Sequence, residues 1–130
     1  MKCLEVIFIR VLIKGYLKNI SENEITNFEY RGIRNKNKIT YVDDDSVKFS
    51  IKIGDNEIIV IRDGNGFINT FVFNVNRSNC NYFVKDNNYD VDIEVDTIYM
   101  EVSANIIYIK YLIVDSGCVY EYKLEMSDIL

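Results

Sequence analysis

The sequence predicts an all-β fold, a single antiparallel up-and-down barrel of about eight to ten strands in one domain over residues 1–130. Three observations predict it. Turn-forming residues recur at short, regular intervals, and the segments between them are rich in Ile, Val, Tyr and Phe. Several of these segments alternate apolar and polar residues, and none has a helical pattern.

Five clusters of turn-forming residues divide the chain into segments of strand length. Such short connections leave no room for crossover helices, so consecutive strands are expected to pair antiparallel. The clusters are residues 35–37, 54–56, 63–66, 86–88 and 115–117. The predicted strands are residues 6–19, 24–34, 38–44, 46–53, 57–63, 67–76, 80–86, 89–102, 105–115 and 118–126.

Alternation also predicts which face of a strand is buried, because successive side chains point to opposite sides of a sheet. An open sheet of this many strands would leave two long exposed edges, whereas closure into a barrel removes them. A barrel is therefore favoured over a sandwich. The faces predicted to be buried carry Ile7, Ile9, Val11 and Ile13; Phe67, Phe71, Phe73 and Val75; and Tyr120, Tyr122, Leu124 and Met126.

The stretch from Asn87 to Asp96 has an acid at every second position, which raises the question of a metal site. Calcium needs six to eight oxygens converging on one point. Side chains on one face of a strand instead stand roughly parallel, ~6.6 Å apart. We interpret the acids as the solvent face of a strand whose apolar face carries Tyr89, Val91, Ile93 and Val95, and we predict no metal site. The acids are Asp90, Asp92, Glu94 and Asp96.

Two further acidic segments, residues 43–45 and 63–66, are predicted to be turns, because short polar side chains and glycine favour turns. The net charge of −5 and the absence of a run of Lys or Arg argue against a nucleic-acid partner. No apolar stretch approaches the ~20 residues of a membrane helix, and no signal peptide is recognised. Three scattered cysteines fit reduced thiols in a cytoplasm.

Catalytic signatures are missing from the sequence. It contains no histidine, which removes the commonest general base and the usual zinc ligand. No glycine-rich phosphate-binding pattern occurs either. Cys80 and Cys118 are interpreted as inert apolar groups rather than nucleophiles. We therefore expect a protein that is not an enzyme and carries no cofactor.

Arg62 is the most suggestive polar residue, because alternation puts it on the same face as Ile58 and Val60. An arginine that points into a barrel needs an anionic partner, either a ligand's carboxylate or an internal Asp or Glu. The alternative is an arginine at the strand end that reaches solvent. Arg31 and Arg10 are weaker candidates for the same ligand-binding role.

A few short motifs resemble those of a known family. They are Tyr41-Val-Asp-Asp44, Arg62-Asp-Gly64, Phe73 and Thr97. With the order of strands, they make residues 6–126 resemble the YwiB-like proteins, small bacterial calycin-like β-barrels of unknown function. One departure is the turn at Lys85-Asp-Asn-Asn-Tyr89, where the family has Thr-Pro-aromatic-Gly. The resemblance implies a calycin/lipocalin-like barrel, a type that often holds a small apolar ligand, and it implies no activity.

Two functions from different classes follow as hypotheses. The first is a binding module whose barrel mouth, lined by Tyr and Phe, admits a small hydrophobic or amphipathic molecule that Arg62 orients. The second is an interaction or structural module. It would use a sheet edge, or the strand bearing Tyr108 and Tyr111, to bind a protein partner or to form a homodimer.

Overall fold

The computed structural model describes residues 8–129, which form one antiparallel sheet of eleven strands rolled into a nearly closed barrel. No helix occurs among these residues, so the described part of the chain contains no helix with the length and hydropathy of a membrane span. The strands are β1 (Ile9–Asn19), β2 (Glu24–Asn35), β3 (Lys38–Val42), β4 (Lys48–Gly54), β5 (Glu57–Asp63), β6 (Phe67–Asn74), β7 (Asn79–Val84), β8 (Tyr89–Ile93), β9 (Val95–Val102), β10 (Ile106–Ile113) and β11 (Cys118–Asp128).

The sheet is an up-and-down meander, because nearly every strand pairs with its neighbours in the chain. β1 pairs with β2 on one side and with β11 on the other, so the two ends of the chain meet in the middle of the sheet. The two outer strands of the sheet, β8 and β9, follow one another directly in sequence. The predicted all-β meander and its barrel form are confirmed.

The five predicted turn clusters all fall at hairpin connections, and each contains a residue in the left-handed region. These residues have φ between 49° and 105°. Four of the five are Asn or Gly, which adopt this conformation with little strain and made those turns recognisable in the sequence; Lys36 is the exception, and it lies between two asparagines. The residues are Lys36, Asn56, Gly66, Asn88 and Gly117.

The segment predicted as one strand over residues 89–102 forms two strands, because it changes partner midway. β8 pairs with β7, where Ile93 lies opposite Cys80. After Glu94 the chain no longer pairs with β7, and Val95 at the start of β9 lies opposite Ile113 of β10. A single segment thus joins the two edges of the sheet and brings the barrel close to closure.

The core fills the barrel interior, and alternation predicts most of it correctly. Val11, Ile13, Phe73, Leu124 and Met126 are buried as expected. Additional buried side chains from β3, β4, β5, β9 and β10 complete the packing. These are Ile39, Tyr41, Ile51, Ile58, Val60, Val95, Ile107, Ile109 and Tyr111.

The prediction of buried faces is wrong at the ends of the strands, where some apolar residues are exposed. Ile9 is the first residue of β1, and Val75 follows β6; both are exposed. The apolar face of the acidic stretch is buried only at Val95, whereas Tyr89 and Val91 are 60% and 39% exposed. They belong to β8, an edge strand paired on one side only, which leaves too few neighbours to cover them. Ile7 lies outside the described residues.

The acids of this stretch are all exposed, as predicted. Beside them a surface cleft of about 750 Å³ lies between the β6–β7 turn and the β8–β9 junction. Among residues 8–129, no group of three His, Cys, Asp or Glu side chains converges as metal ligands would.

Candidate ligand-binding cavity

A cavity of about 460 Å³ opens at the end of the barrel that carries the β1–β2 and β3–β4 connections. Its deeper wall is apolar and includes Val60, Phe71 and Phe73. Its rim includes Leu17 and the β3–β4 loop. The volume lies within the usual range of ~300–1,000 Å³ for small-molecule sites, and the mixture of apolar wall and few polar groups is typical of such sites.

Arg62 lies on the inner face of β5, as alternation indicated, and lines this cavity. Its guanidinium carbon is 5.6 Å from the centre of the Phe49 ring and 5.7 Å from that of Phe67, so two aromatic faces hold the half-buried cation. One N–H donates to the Oδ1 atom of Asn69 over 3.4 Å. Among residues 8–129, no carboxylate oxygen lies within 4.0 Å of this guanidinium.

The hydrogen bonds of Arg62 are therefore incomplete within the described chain. A guanidinium has five N–H donors and no acceptor. Asn69 is the one acceptor that residues 8–129 supply to it, and that bond is long. The remaining donors are free for solvent or for the oxygens of a bound anion, and a planar fork of this kind matches a carboxylate.

On both sides of Arg62, aromatic rings from neighbouring strands stack on one another. We call this row of side chains the aromatic ladder. The Tyr41 and Phe49 rings are 4.6 Å apart between centroids, with an interplanar angle of 8°. On the other side of Arg62, the rings of Phe67 and Tyr82 stack at 5.5 Å. Such a row fixes the direction of the arginine. The ladder consists of Phe28, Tyr30, Tyr41, Phe49, Arg62, Phe67 and Tyr82.

A pair of tyrosine hydroxyls forms the second polar feature of the cavity. The hydroxyls of Tyr41 and Tyr122 are hydrogen-bonded at 2.7 Å, and both residues are buried. Burial raises the pKa of both phenols well above the ordinary value, although the Tyr41 hydroxyl and Arg62 partly offset this at Tyr122. Both groups remain neutral near pH 7, so each keeps its proton as a hydrogen-bond donor.

Asn69 has a structural role beneath Arg62 that the sequence did not reveal. It is 3% exposed, in a strand whose inward positions are otherwise aromatic. Its amide nitrogen lies 3.2 Å from both the Cys80 Sγ atom and the Asn81 carbonyl oxygen, to which it donates. Burial raises the pKa of the Cys80 thiol, which leaves it protonated and poorly nucleophilic near neutral pH.

The β3–β4 loop is the turn that the sequence predicted, and it is strongly acidic. The Oδ1 atom of Asp43 accepts hydrogen bonds from the backbone N–H groups of Asp45 and Val47, at 2.9 and 3.0 Å. Asp44 and Asp45 are exposed. In the described part of the chain no Lys or Arg nitrogen lies within 4.0 Å of these three carboxylates. The loop therefore brings uncompensated negative charge to the rim.

Arg31 and Arg10 lie elsewhere. Both are exposed and have the opposite orientation to their inward neighbours Gly32 and Val11. Of the three candidate arginines, the structure brings Arg62 alone to the cavity. The residues that sequence reasoning missed are Asn69 and the Tyr41–Tyr122 pair, because a hydrogen bond between distant strands leaves no periodic signal.

Comparison with known proteins supports the fold and leaves the family open. No family model and no curated protein matches this sequence. The crystal structure of the ywiB protein from Bacillus subtilis is similar to this structure, with a TM-score of 0.66 over 95% of this chain and 92% of that chain. The two sequences are 15% identical. At that identity the likeness concerns the fold, and we conclude that this chain has a YwiB-like barrel.

Proposed function

We propose that this protein binds a small amphipathic molecule in the mouth of a calycin-like barrel. The ligand's apolar body would lie against Val60, Phe71 and Phe73, and its polar end would contact Arg62. The observation that carries the proposal is the half-buried Arg62 guanidinium, which lines a cavity of about 460 Å³ and has no carboxylate partner within 4.0 Å among the described residues.

A purely structural role for Arg62 accounts for this arrangement less well. A buried cation that only stabilises the fold is normally paired with an anion, because the free-energy cost of removing the charge from water exceeds what packing alone contributes. The long hydrogen bond to Asn69 and two aromatic faces compensate the charge only in part. A carboxylate from a ligand would complete the hydrogen bonds of the guanidinium.

Binding without chemical conversion is part of the proposal. The thiol of Cys80 is buried and protonated, and the tyrosines of the cavity keep their protons because burial raises their pKa. A cytoplasm is the proposed location, since Cys80 and Cys118 are free thiols.

The test uses 1-anilinonaphthalene-8-sulfonate, an amphipathic anion that fluoresces in apolar surroundings. We expect saturable binding at one site per chain. Leu17→Trp puts a large side chain at the rim and should weaken binding at least fivefold. The control is Ile25→Trp, which adds the same group on the outer face of β2, where Ile25 is exposed. Equal binding to all three proteins, or no saturable binding, would contradict the proposal.

A second function, an interaction module or homodimer, is favoured by the edge strand β9. This strand pairs with β10 alone among the described strands, and Ile98 and Tyr99 are about half exposed, at 51% and 52%. Exposed apolar residues on an unpaired edge are suited to β-strand addition by a partner. The strand with Tyr108 and Tyr111 is less suitable than the sequence suggested, because Tyr111 is buried inside the barrel.

Sedimentation of the wild-type protein and of Tyr99→Lys tests this alternative. A dimer that becomes monomeric in the variant would support it. A monomeric wild-type protein over the whole concentration range would count against a homodimer.

A further inference from the structure

We infer that the cavity accepts one negative charge and selects against a ligand head with two, so that its ligands are monoanions such as carboxylates. This inference depends on the proposed function, since it names the chemical class of ligand that the same site would take. Three features of the cavity carry it: the guanidinium of Arg62, the tyrosine hydroxyl pair and the acidic loop at the rim.

Arg62 supplies one full positive charge near the mouth of the cavity. It lies opposite Phe49 in the β4–β5 ladder, and Phe49 lies opposite Tyr41 in the β3–β4 ladder. Two strand spacings, about 10 Å, therefore separate the Tyr41 and Arg62 backbones across the wall. A single ligand charge is neutralised by Arg62. Among the described residues that line the cavity, no other cationic side chain is present to neutralise a second ligand charge.

The Tyr41–Tyr122 pair offers a second donor for the same head group. The two hydroxyls carry two protons, and their mutual bond uses one. Neither hydroxyl makes a further hydrogen bond within residues 8–129. Since both tyrosines line the cavity, the second proton is available to a ligand oxygen. The cavity therefore offers a ligand two kinds of hydrogen-bond donor, the Arg62 guanidinium and this hydroxyl.

The loop Asp43–Asp45 lies one step nearer the rim than Tyr41, two residues further along the chain, and it lines the same cavity. Its three carboxylates repel every negative charge on a ligand. Direct contact with Arg62 offsets this repulsion for the first charge, whereas a second charge has no such partner among the described residues that line the cavity. For unit charges about 10 Å apart the interaction is weak in water and several times stronger near a protein surface. Three such interactions correspond to about a tenfold difference in affinity or more.

The experiment compares three probes with the same tail, namely octanoate, octyl phosphate and 1-octanol, by isothermal titration calorimetry at pH 8. Octyl phosphate is a dianion there. The wild-type protein should bind octanoate at least fivefold more tightly than octyl phosphate, and at least tenfold more tightly than 1-octanol, which carries no charge for Arg62.

Replacement of the loop charges isolates their effect. The double variant Asp44→Asn, Asp45→Asn should reduce the ratio of the affinity for octanoate to the affinity for octyl phosphate at least threefold. We call the difference in affinity between these two probes the gap. The control, Asp55→Asn with Glu101→Gln, removes two exposed charges outside the cavity lining and should leave the gap unchanged. Tight binding of octyl phosphate to the wild-type protein, or a gap that the loop variant does not alter, would overturn the charge selection. Failure of both octanoate and octyl phosphate to bind would instead overturn the proposed function itself.

Discussion

The Arg62 charge has two effects that can be measured separately in a variant. Its burial lowers the free energy of unfolding, and its guanidinium can bind an anion. Arg62→Met keeps the apolar stem between Phe49 and Phe67 and removes the charge. Loss of one partner of a buried ion pair costs about 3–5 kcal/mol because the other charge is left unpaired. Arg62 has no carboxylate partner within 4.0 Å among the described residues, so its removal leaves no such charge behind. We expect the free energy of unfolding to fall by no more than about 1.5 kcal/mol, because the buried Asn69 Oδ1 atom loses its long hydrogen bond while the cost of burying the Arg62 charge is removed.

The same variant should lose affinity for octanoate at least tenfold, which is the loss expected when a charged hydrogen bond worth about 1.5–3 kcal/mol is removed. Urea denaturation and calorimetry measure the two effects on one preparation. Arg31→Met is the control, because Arg31 is exposed on the outer face. A fall in stability of about 3 kcal/mol would indicate a structural ion pair and contradict our interpretation.

The sequence made Arg62 a candidate for the inner face of the barrel, but it left open an arginine at the strand end that reaches solvent, and it did not reveal the surroundings of the side chain. Alternation put Arg62 on the same face as Ile58 and Val60, but its position at the end of the strand left the direction of the side chain undecided. Its neighbours Asn69 and Phe49 come from other strands, and their contact depends on strand register. Register is set by the packing of the whole sheet, so a single strand's pattern does not contain it.

At the scale of the element, Gly15 allows the Phe28 ring to lie against β1. A Cβ atom at Gly15 would overlap the Lys123 carbonyl oxygen and lie 2.7 Å from Cζ of Phe28. Because part of this overlap is with backbone, Gly15→Ala should cost about 2 kcal/mol or more. At Gly54, a Cβ atom would meet nothing closer than the Glu57 carbonyl oxygen at 3.7 Å.

Gly54→Ala is therefore the control for Gly15→Ala, and its stability should lie within about 0.5 kcal/mol of the wild type. Thermal unfolding followed by circular dichroism compares the two variants. Equal stability of both would show that the close approach at Gly15 does not exist in solution.

The β8–β9 segment gives a second test at this scale, because its apolar side chains differ in burial despite their common alternation. Val95→Ala removes two methyl groups from a site that is 1% exposed and should cost about 2 kcal/mol. Val91→Ala, at a site that is 39% exposed, should cost less than about 0.5 kcal/mol. Chemical denaturation measures both. Similar losses would mean that the apolar face is uniformly buried, as alternation alone suggests.

The difference between Val91 and Val95 shows what local pattern leaves open. Turn residues and alternation predicted the strands to within a few residues, since both depend on the backbone and the nearest neighbours. The change of partner at Glu94 depends on where the two sheet edges meet. That meeting is a property of the closed sheet, which no segment specifies by itself.

For the whole molecule, the buried tyrosines predict an alkaline limit of stability. Burial raises the pKa of Tyr41, Tyr111 and Tyr122 well above the ordinary value, and burial together with Glu121 raises that of Tyr108 to about 12. The unfolded chain releases these protons near pH 10, whereas the folded protein keeps them. The stabilisation is thus complete below pH 10 and is lost as the pH rises through the higher folded pKa values.

Each such tyrosine should lower the free energy of unfolding by up to about 1.4 kcal/mol per pH unit above pH 10. Denaturation midpoints between pH 8 and 11.5 measure the slope, and absorbance at 295 nm follows phenolate formation. Tyr111→Phe should reduce the slope, and it should lower the free energy of unfolding at pH 8 by no more than about 3 kcal/mol. Full ionisation with an intact β-sheet spectrum would contradict the burial of these phenols.

Barrel closure was predictable at this scale, whereas a cavity at the barrel mouth was a hypothesis that the sequence could not decide. An open sheet of so many strands would expose two long edges, and this argument gave the barrel without coordinates. Whether side chains fill the interior depends on strand tilt, register and the summed volumes of residues far apart in sequence. The space between Arg62 and Phe73 results from these long-range terms.

The most direct test of the central claim, that the barrel mouth holds an anionic ligand on Arg62, is nuclear magnetic resonance of the side-chain Nε–H group of Arg62 during titration with octanoate. We predict that this resonance shifts and saturates together with the backbone amides of Val60 and Phe71, while the amide of Arg31 on the outer face does not move. An Arg62 resonance that stays unchanged at millimolar octanoate, or shifts of similar size on the outer face, would contradict the claim.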